Sequence, residues 1–551
     1  MRKLALARNP LGSPYTSFGR VPGNNIATGA SVPAPVEGWD AISPLAAMSP
    51  KRAVRLDNWF PQPDWVEVRK GFIRHADTGT AEQVETLAAY QGVSSQKLFA
   101  ISNGTIWDVT SAGTATSQVT ALANDRFQHI NFSTTGGNFL YMVNGADIPQ
   151  YYNGTAWATA TITGIDPTAI IGVNAHKARL WFVLEDSSEV AYLAADAIQG
   201  AATAFELGGL MTMGGYIMAM GTWSLDAGDG PDDYAVFVTS RGQCIIYAGT
   251  NPASATTWSL VGVFNMGAPI GRRCLTKVGA DLAVISIDGV LPLSKAMIFE
   301  RSASTNAAIT QRIQRVMNFA AQNYRENFGW QLISYPKGTR AILNIPVSEG
   351  ATQHQYVMNT LSGAWCRFTG MNANCWELLN DRLYFGGNGG IVFEADRSGT
   401  DSGGTLEADM MTAFNYFGAR GMQKRWTMCR PLITTDNQVQ PGIAFNVDFQ
   451  DNAPLFVPDV VVNPQALWDV AEWDDAVWAG DVSTSALWSS VSGIGYCASI
   501  RMAVEVPHPI GNLGLWGSAL WGVNTWSELD GAELTLQVNG FDLTYARGGF
   551  I

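Results

Sequence analysis

The chain has 551 residues and a formal net charge of −13, with 47% hydrophobic and only 15% charged residues. An acidic balance of this size excludes a surface built to hold nucleic acid, which needs clustered Lys and Arg to displace counterions. The apolar content excludes a disordered chain, and the 57 Gly and 19 Trp point to an all-β protein with many tight turns.

Residues 1–45 are rich in Pro, Gly, Ser and Ala, show neither a helical nor a strand period, and read either as a disordered tail or as an extended N-terminal arm ordered only against a neighbouring subunit or domain. The opening MRKLALARNPLG is basic, but its apolar core LALA is too short for a signal peptide. No apolar run of about 18 residues follows, so the expectation is a chain without a membrane span, made and assembled in a cytoplasm. Cys244, Cys274, Cys366, Cys375, Cys429 and Cys497 contain no CxxC pair and are expected to be buried thiols rather than a disulfide framework or zinc site.

From about residue 85 to 400 one pattern recurs: an apolar strand, a turn carrying Gly, Asn, Asp or Ser, and a second strand. KLFAISNGTIWDVT begins at 97, NFLYMVNGADIPQYY at 138 and ARLWFVLEDSSEVAYLA at 178. DYAVFVTSRGQCIIYAGT follows at 233, ADLAVISIDGVLPLS at 280, TRAILNIPVSEG at 339 and DRLYFGGNGGIVFEAD at 381. The starts fall 40 to 60 residues apart, the period of a four-stranded propeller blade once two further strands fill each gap. A lone hairpin cannot bury both faces, whereas blades stacked around an axis cover one another. An irregular β-propeller of six or so blades over 46–404 is therefore expected, with a large irregular sandwich as the alternative, since WD and kelch signatures are absent. Within it, TNAAITQRIQRVMNFAAQNYRENF (305–328) places Ile309, Ile313, Val316, Ala320 and Tyr324 at helical spacing, with Thr305 or Asn306 as the cap. This amphipathic helix is expected to pack on a blade.

Residues 405–551 differ in composition. Trp468, Trp473 and Trp478 recur every five residues, as do Trp516, Trp521 and Trp526, a step that keeps to neither a helix face nor a strand face. These rings read as staples of successive short turns and as a possible interface. The closing GAELTLQVNGFDLTYARGGF alternates like a strand pair, so a second, β-sandwich-like domain is expected.

The chemistry-bearing patterns are weak. DAGDGPDD (Asp226, Asp229, Asp232, Asp233) lacks the ligand spacing of an EF-hand and reads as a solvated turn, with cation binding the open alternative. FGGNGG, 385–390, has no following Lys-Ser/Thr or helix and reads as a turn. His75, His129, His176, His354 and His508 show no metal-ligand spacing, and NPASATTW lacks the Asp and Gly of a sialidase-type box. The Met-rich GGLMTMGGYIMAMGTW (208–223) reads as buried packing. IGRRC, with Arg272 and Arg273, is the densest basic element and reads as solvated surface or an intersubunit ion pair. The expectation is a non-enzyme with no catalytic, cofactor or metal residues.

AISPLAAMSPKRAVRLDNWFPQPDWVEVRKGF, GAPIGRRC, NIPVSEGATQHQYVMNTLSGAWCRF and DRLYFGGNGGIVFEAD resemble the tail nozzle, or tail tubular protein B class, of short-tailed bacteriophages. The likeness runs from about 38 to the end and rests on structural strings rather than catalytic ones. It implies a propeller-containing virion protein assembled as a hexamer below the ring-shaped adaptor, or head-to-tail connector. Such a ring would carry tail fibres or spikes and enclose the channel through which genomic DNA leaves the capsid, without sequence-specific binding. The competing reading is a virion-associated propeller that binds or cleaves host glycans, with the tryptophans as its sugar platform.

Overall fold

The computed structural model describes residues 27–226, 231–297, 307–436, 439–458, 460, 483–506 and 534–547. The fold is all-β: a propeller and a β-sandwich joined through a common sheet. Trp468, Trp473, Trp478, Trp516, Trp521, Trp526, Asp229, Thr305, Asn306 and His508 lie outside the described residues.

Seven blades are present among the described residues, at 86–119, 128–159, 170–206, 217–265, 275–292, 331–368 and 375–395. They are numbered 1 to 7 here, with strands a to d running outward from the axis. Each blade is an antiparallel meander. The seven innermost strands neighbour one another in ring order, and Cys375–Leu379 of blade 7 packs back against Thr86–Gln91 of blade 1. Every hairpin recognised between residues 97 and 395 is the b–c pair of one blade. The stretch 97–110, for example, holds Gln96–Ser102 and Thr105–Asp108, paired through Ser102↔Thr105. Its two-residue turn has Asn103 and Gly104 at φ 54° and 64°, the left-handed pair a type I′ hairpin requires. The closing stretch around Asn539-Gly540 is instead not a strand pair but the single strand Leu536–Arg547, whose extra residue at Asn539 is absorbed as a bulge against Lys424–Thr435.

Seven blades rather than six or so follow from how the ring closes. Blade 7 takes strands a to c from 375–395, but its outer strand is Phe72–Asp77, from the far end of the repeat region. Pairing the first and last strands of the ring in one sheet ties its ends together and removes an open edge. Blade 5 has three strands among the described residues.

Blades hold together through aromatic cores and polar latches. Trp181 of blade 3 is 1% exposed and stacks on Trp258 of blade 4 at 5.6 Å, which in turn stacks on Tyr247 at 5.5 Å. Side-chain amides bridge inner strands that cannot pair directly. Asn131 Nδ2 donates to the Ala89 carbonyl (2.8 Å), Asn174 Nδ2 to Met220 (3.0 Å), and Gln331 Nε2 to Trp376 (2.9 Å). Each satisfies a backbone acceptor otherwise orphaned in the channel wall.

The sandwich comes from both ends of the chain. Ala53–Asp57 pairs with Leu406–Thr412, which pairs with Ala498–Val506 and so with Gly442–Val447. Asp57 also bridges Arg367 on the outer strand of blade 6, so one eight-stranded sheet runs from the propeller into the sandwich. The facing sheet is built on Lys424–Thr435 and Leu536–Arg547, flanked by Thr28–Pro33, Val66–Val68 and Ser489–Gly495. The sheets therefore do not divide the chain at 46 and 405. Part of the arm, 28–33, and residues 53–68 belong with the C-terminal strands, and one buried core spans propeller and sandwich. Alternation identifies a strand but not its partner, which is why this crossover is invisible in the sequence.

The helix runs from Gln314 to Tyr324 after a 3-10 turn at Gln311–Ile313, and Ile313 rather than a capping side chain precedes it. Ile313, Met317, Ala320 and Ala321 are buried, with Ile309, Val316 and Tyr324 packed beside them against blades 5 and 6. All six cysteines are buried free thiols. No helix among the described residues is long and apolar enough to cross a membrane.

Candidate functional site

The most developed concave feature lies on the propeller axis, at the face formed by the b–c turns and the d–a connections. There a cavity of about 700 Å³ opens among the connections into blades 2, 4, 5 and 6. A second cavity of about 200 Å³ continues inward and shares Gln128, Met218, Arg272 and Arg273 as walls. The side chains are placed by connections that end in short polar-aromatic stretches: NDRF before blade 2, GRRC before blade 5 and ENFGW before blade 6.

Arg272 and Arg273, paired in the sequence, part company here. Gly271, at φ +69°, makes the left-handed turn that precedes them. Arg272 Nη2 donates to Glu185 Oε1 (2.9 Å) on the b–c turn of blade 3, an exposed pair worth little on its own. Arg273 instead crosses the axis. Its Nη2 donates to Thr86 Oγ1 (2.8 Å), to the Phe127 carbonyl (3.1 Å) and to the Glu85 carbonyl (3.2 Å), at the start of blades 1 and 2. Blade 5 lies opposite these two in the ring, so one guanidinium bolts the two sides together. Among the described residues no carboxylate comes within 4 Å of Arg273. Burial pushes its pKa below the ordinary value, against the opposing fields of Cys375, Glu85 and Glu377.

Arg126 and Phe328 complete the mouth. The Phe328 ring has two guanidinium groups beside it, Arg126 at 4.4 Å and Arg273 at 5.1 Å from its centre. Arg126 pairs with Glu85 (3.1 Å) and with Glu349 on the b–c turn of blade 6 (2.5 Å). Burial opposes the charge of Arg126, but the two carboxylates outweigh it and hold its pKa above the usual value. Deeper in, His129 Nε2 meets Glu377 Oε2 at 2.9 Å, joining blades 2 and 7 across blade 1. The axis is thus crossed by Arg273 and narrowed on the blade 1 side by His129–Glu377, and it is closed to anything as wide as a duplex.

The other sequence candidates fall elsewhere. Asp233, read in the sequence as part of a solvated turn, lies on the second strand of blade 4 opposite Ser224, because the a–b hairpin extends to Asp226 and Pro231. It pairs with Lys177 (2.9 Å) and accepts from Ser224 (2.6 Å), while 227–230 lie outside the described residues. FGGNGG forms the b–c turn of blade 7, with Gly389 and Gly390 at φ 67° and 70°. Of the Met-rich stretch, Met211 and Met220 are buried, Met213 is 45% exposed and Met218 lines the channel. No group of three His, Cys, Asp or Glu side chains converges among the described residues. Arg126, Phe328 and Glu85 carry no signal in the sequence. Only their position just before an inner strand unites them, and that needs the strand order to be known.

The chain matches no known protein family and no curated protein. Solved structures that resemble it include BBS1N in complex with ARL6DN (9% identity over 60% of this chain and 97% of that one, TM-score 0.38). YCF48 bound to D1 peptide shows 11% identity over 61% and 96%, TM-score 0.35, and YCF48 from Cyanidioschyzon merolae 12% over 57% and 96%, TM-score 0.35. The propeller assignment follows from the strand pairings above and does not draw on these likenesses.

Proposed function

We propose that this chain is a structural subunit of a virion tail: a nozzle protein that assembles as a homo-hexamer below the head-to-tail adaptor, supports fibres or spikes, and encloses the path of ejected DNA. The observation that supports this reading best is the eight-stranded sheet that runs from blade 6 into the sandwich. Two domains sharing a sheet and one core cannot hinge freely, and a rigid wedge is what a closed ring needs from each subunit. Low charge density leaves room for broad buried contacts, and a net charge of −13 favours a lumen past which DNA slides without sticking. Because Arg273 crosses the propeller axis and His129–Glu377 narrows it beside blade 1, the DNA path on this reading lies between subunits, on the axis of the ring. The six tryptophans from Trp468 to Trp526, with Arg272, are the proposed contact residues.

The reading predicts that the full chain, mixed with its adaptor, sediments as one complex holding six copies and turns over no host glycan. A monomer that never assembles in the adaptor's presence, or glycan cleavage abolished by a single carboxylate substitution, contradicts it.

A further inference from the structure

Four arginines reach the mouth of the propeller channel, and three are already neutralised: Arg126 by Glu85 and Glu349, Arg272 by Glu185, Arg325 by Glu326. Among the described residues Arg273 alone of the four has neutral partners, and all of its hydrogen bonds leave from Nη2. Its Nε and Nη1 donors find no acceptor among the described residues, and neither is sealed off as a buried orphan. These donors belong to a group that lines a cavity of about 700 Å³. With Nη2 engaged, neither two-donor edge of this guanidinium is free, since the side-on edge pairs Nε with Nη2 and the end-on edge pairs Nη1 with Nη2. An anion here meets a single N–H, of Nε or of Nη1. The wall beside it is partly apolar: Phe328 and Met218 are half-buried at the cavity, with Ile270 and Trp330 buried behind it, and Gln128, Asn144 and Asn327 supply polar lining.

We infer that this mouth is a binding site for a monoanionic carboxylate carried on an apolar or aromatic body, with a free N–H of Arg273 donating to the carboxylate and Phe328 packing on the body. With Arg126, Arg272 and Arg325 already paired, one uncompensated positive charge faces the cavity; it balances one negative charge and leaves the second charge of a phosphate dianion without a partner. The carboxylate has two possible sources, a free small acid or the C-terminus of a peptide inserted into the channel. The site does not depend on assembly and stands or falls apart from the nozzle reading.

Calorimetric titration of the full chain tests this with matched probes: phenylacetate against phenylacetamide, inorganic phosphate, and a short peptide ending in Phe as its free acid and as its amide. The expected result is that each acid binds about tenfold to a hundredfold more tightly than its amide, the difference a charged hydrogen-bonded pair makes, and more tightly than phosphate. A peptide acid at least about tenfold tighter than phenylacetate assigns the site to a chain terminus; similar affinities assign it to a small acid. Equal binding of acid and amide, preference for phosphate, or no binding of any probe overturns the proposal. Arg273→Gln should remove the acid preference. Because that change also removes channel hydrogen bonds, the acid-against-amide comparison on the unaltered protein decides the matter even where the variant fails to fold.

Discussion

Arg69 shows what this interior asks of a charge. Its side chain is fully buried, and its five N–H groups find five acceptors: both Asp401 oxygens (2.8 and 2.6 Å), Asn58 Oδ1 (2.8 Å) and the carbonyls of Lys70 and Thr369 (3.1 and 2.7 Å). Removing one partner strands the guanidinium, so Asp401→Ala should cost about 3–5 kcal/mol in urea unfolding. A loss below about 1 kcal/mol would be that of an exposed pair and contradict this account. His176 makes the opposite case. It is 2% exposed between blades 3 and 4, 5.7 Å from the Trp258 ring, and burial pulls its pKa down to about 4. The unfolded chain, with the ordinary value of about 6.5, binds the proton first, so stability is full above that pH and falls as pH drops towards 4. Unfolding free energy at pH 4.5 should lie about 2–3 kcal/mol below that at pH 7 on account of this residue. His176→Gln should remove that part of the slope, and an unchanged slope would show that His176 is not its source.

At the scale of elements, the shared sheet decides how the molecule comes apart. Leu406–Thr412 joins Ala53–Asp57 to Ala498–Val506, and Met410 within it is fully buried in the common core. Met410→Ala should cost about 2–5 kcal/mol and shift a single unfolding transition followed alike by propeller and sandwich probes. Two separate transitions, with only one displaced, would mean the domains are energetically independent. The helix offers an internal contrast: Met317 is buried and Phe319 is 58% exposed. Met317→Ala should cost about 2–4 kcal/mol and Phe319→Ala less than about 1, read from denaturant midpoints; equal losses would contradict the packing described. Elements of this kind were readable in the chain because their signal is local. Asn103-Gly104 announces a hairpin by itself, and Ile313 to Tyr324 keeps a helical period.

At the scale of the whole molecule the signals are no longer local. Phe72–Asp77 looks like any strand, and nothing in its residues says that it closes blade 7 with Ile391–Ala395, more than 300 positions away. Ala53–Asp57 likewise gives no sign of bridging blade 6 to the C-terminal strands. The mouth was half legible: Arg272 and Arg273 stood out as a basic pair, yet one proves an exposed ion pair and the other the bolt across the axis. Their partners Glu85, Phe127 and Phe328 are scattered along the chain and meet only because blades 1, 2 and 6 bring their connections to one face.

The measurement that bears most directly on the proposed role is electron microscopy of the purified full chain with its adaptor. The account predicts class averages with sixfold symmetry and an open central channel wide enough for duplex DNA, each subunit showing a seven-bladed ring off that axis. Particles without rotational symmetry, or a ring whose only passage is the propeller hole crossed by Arg273, would contradict it.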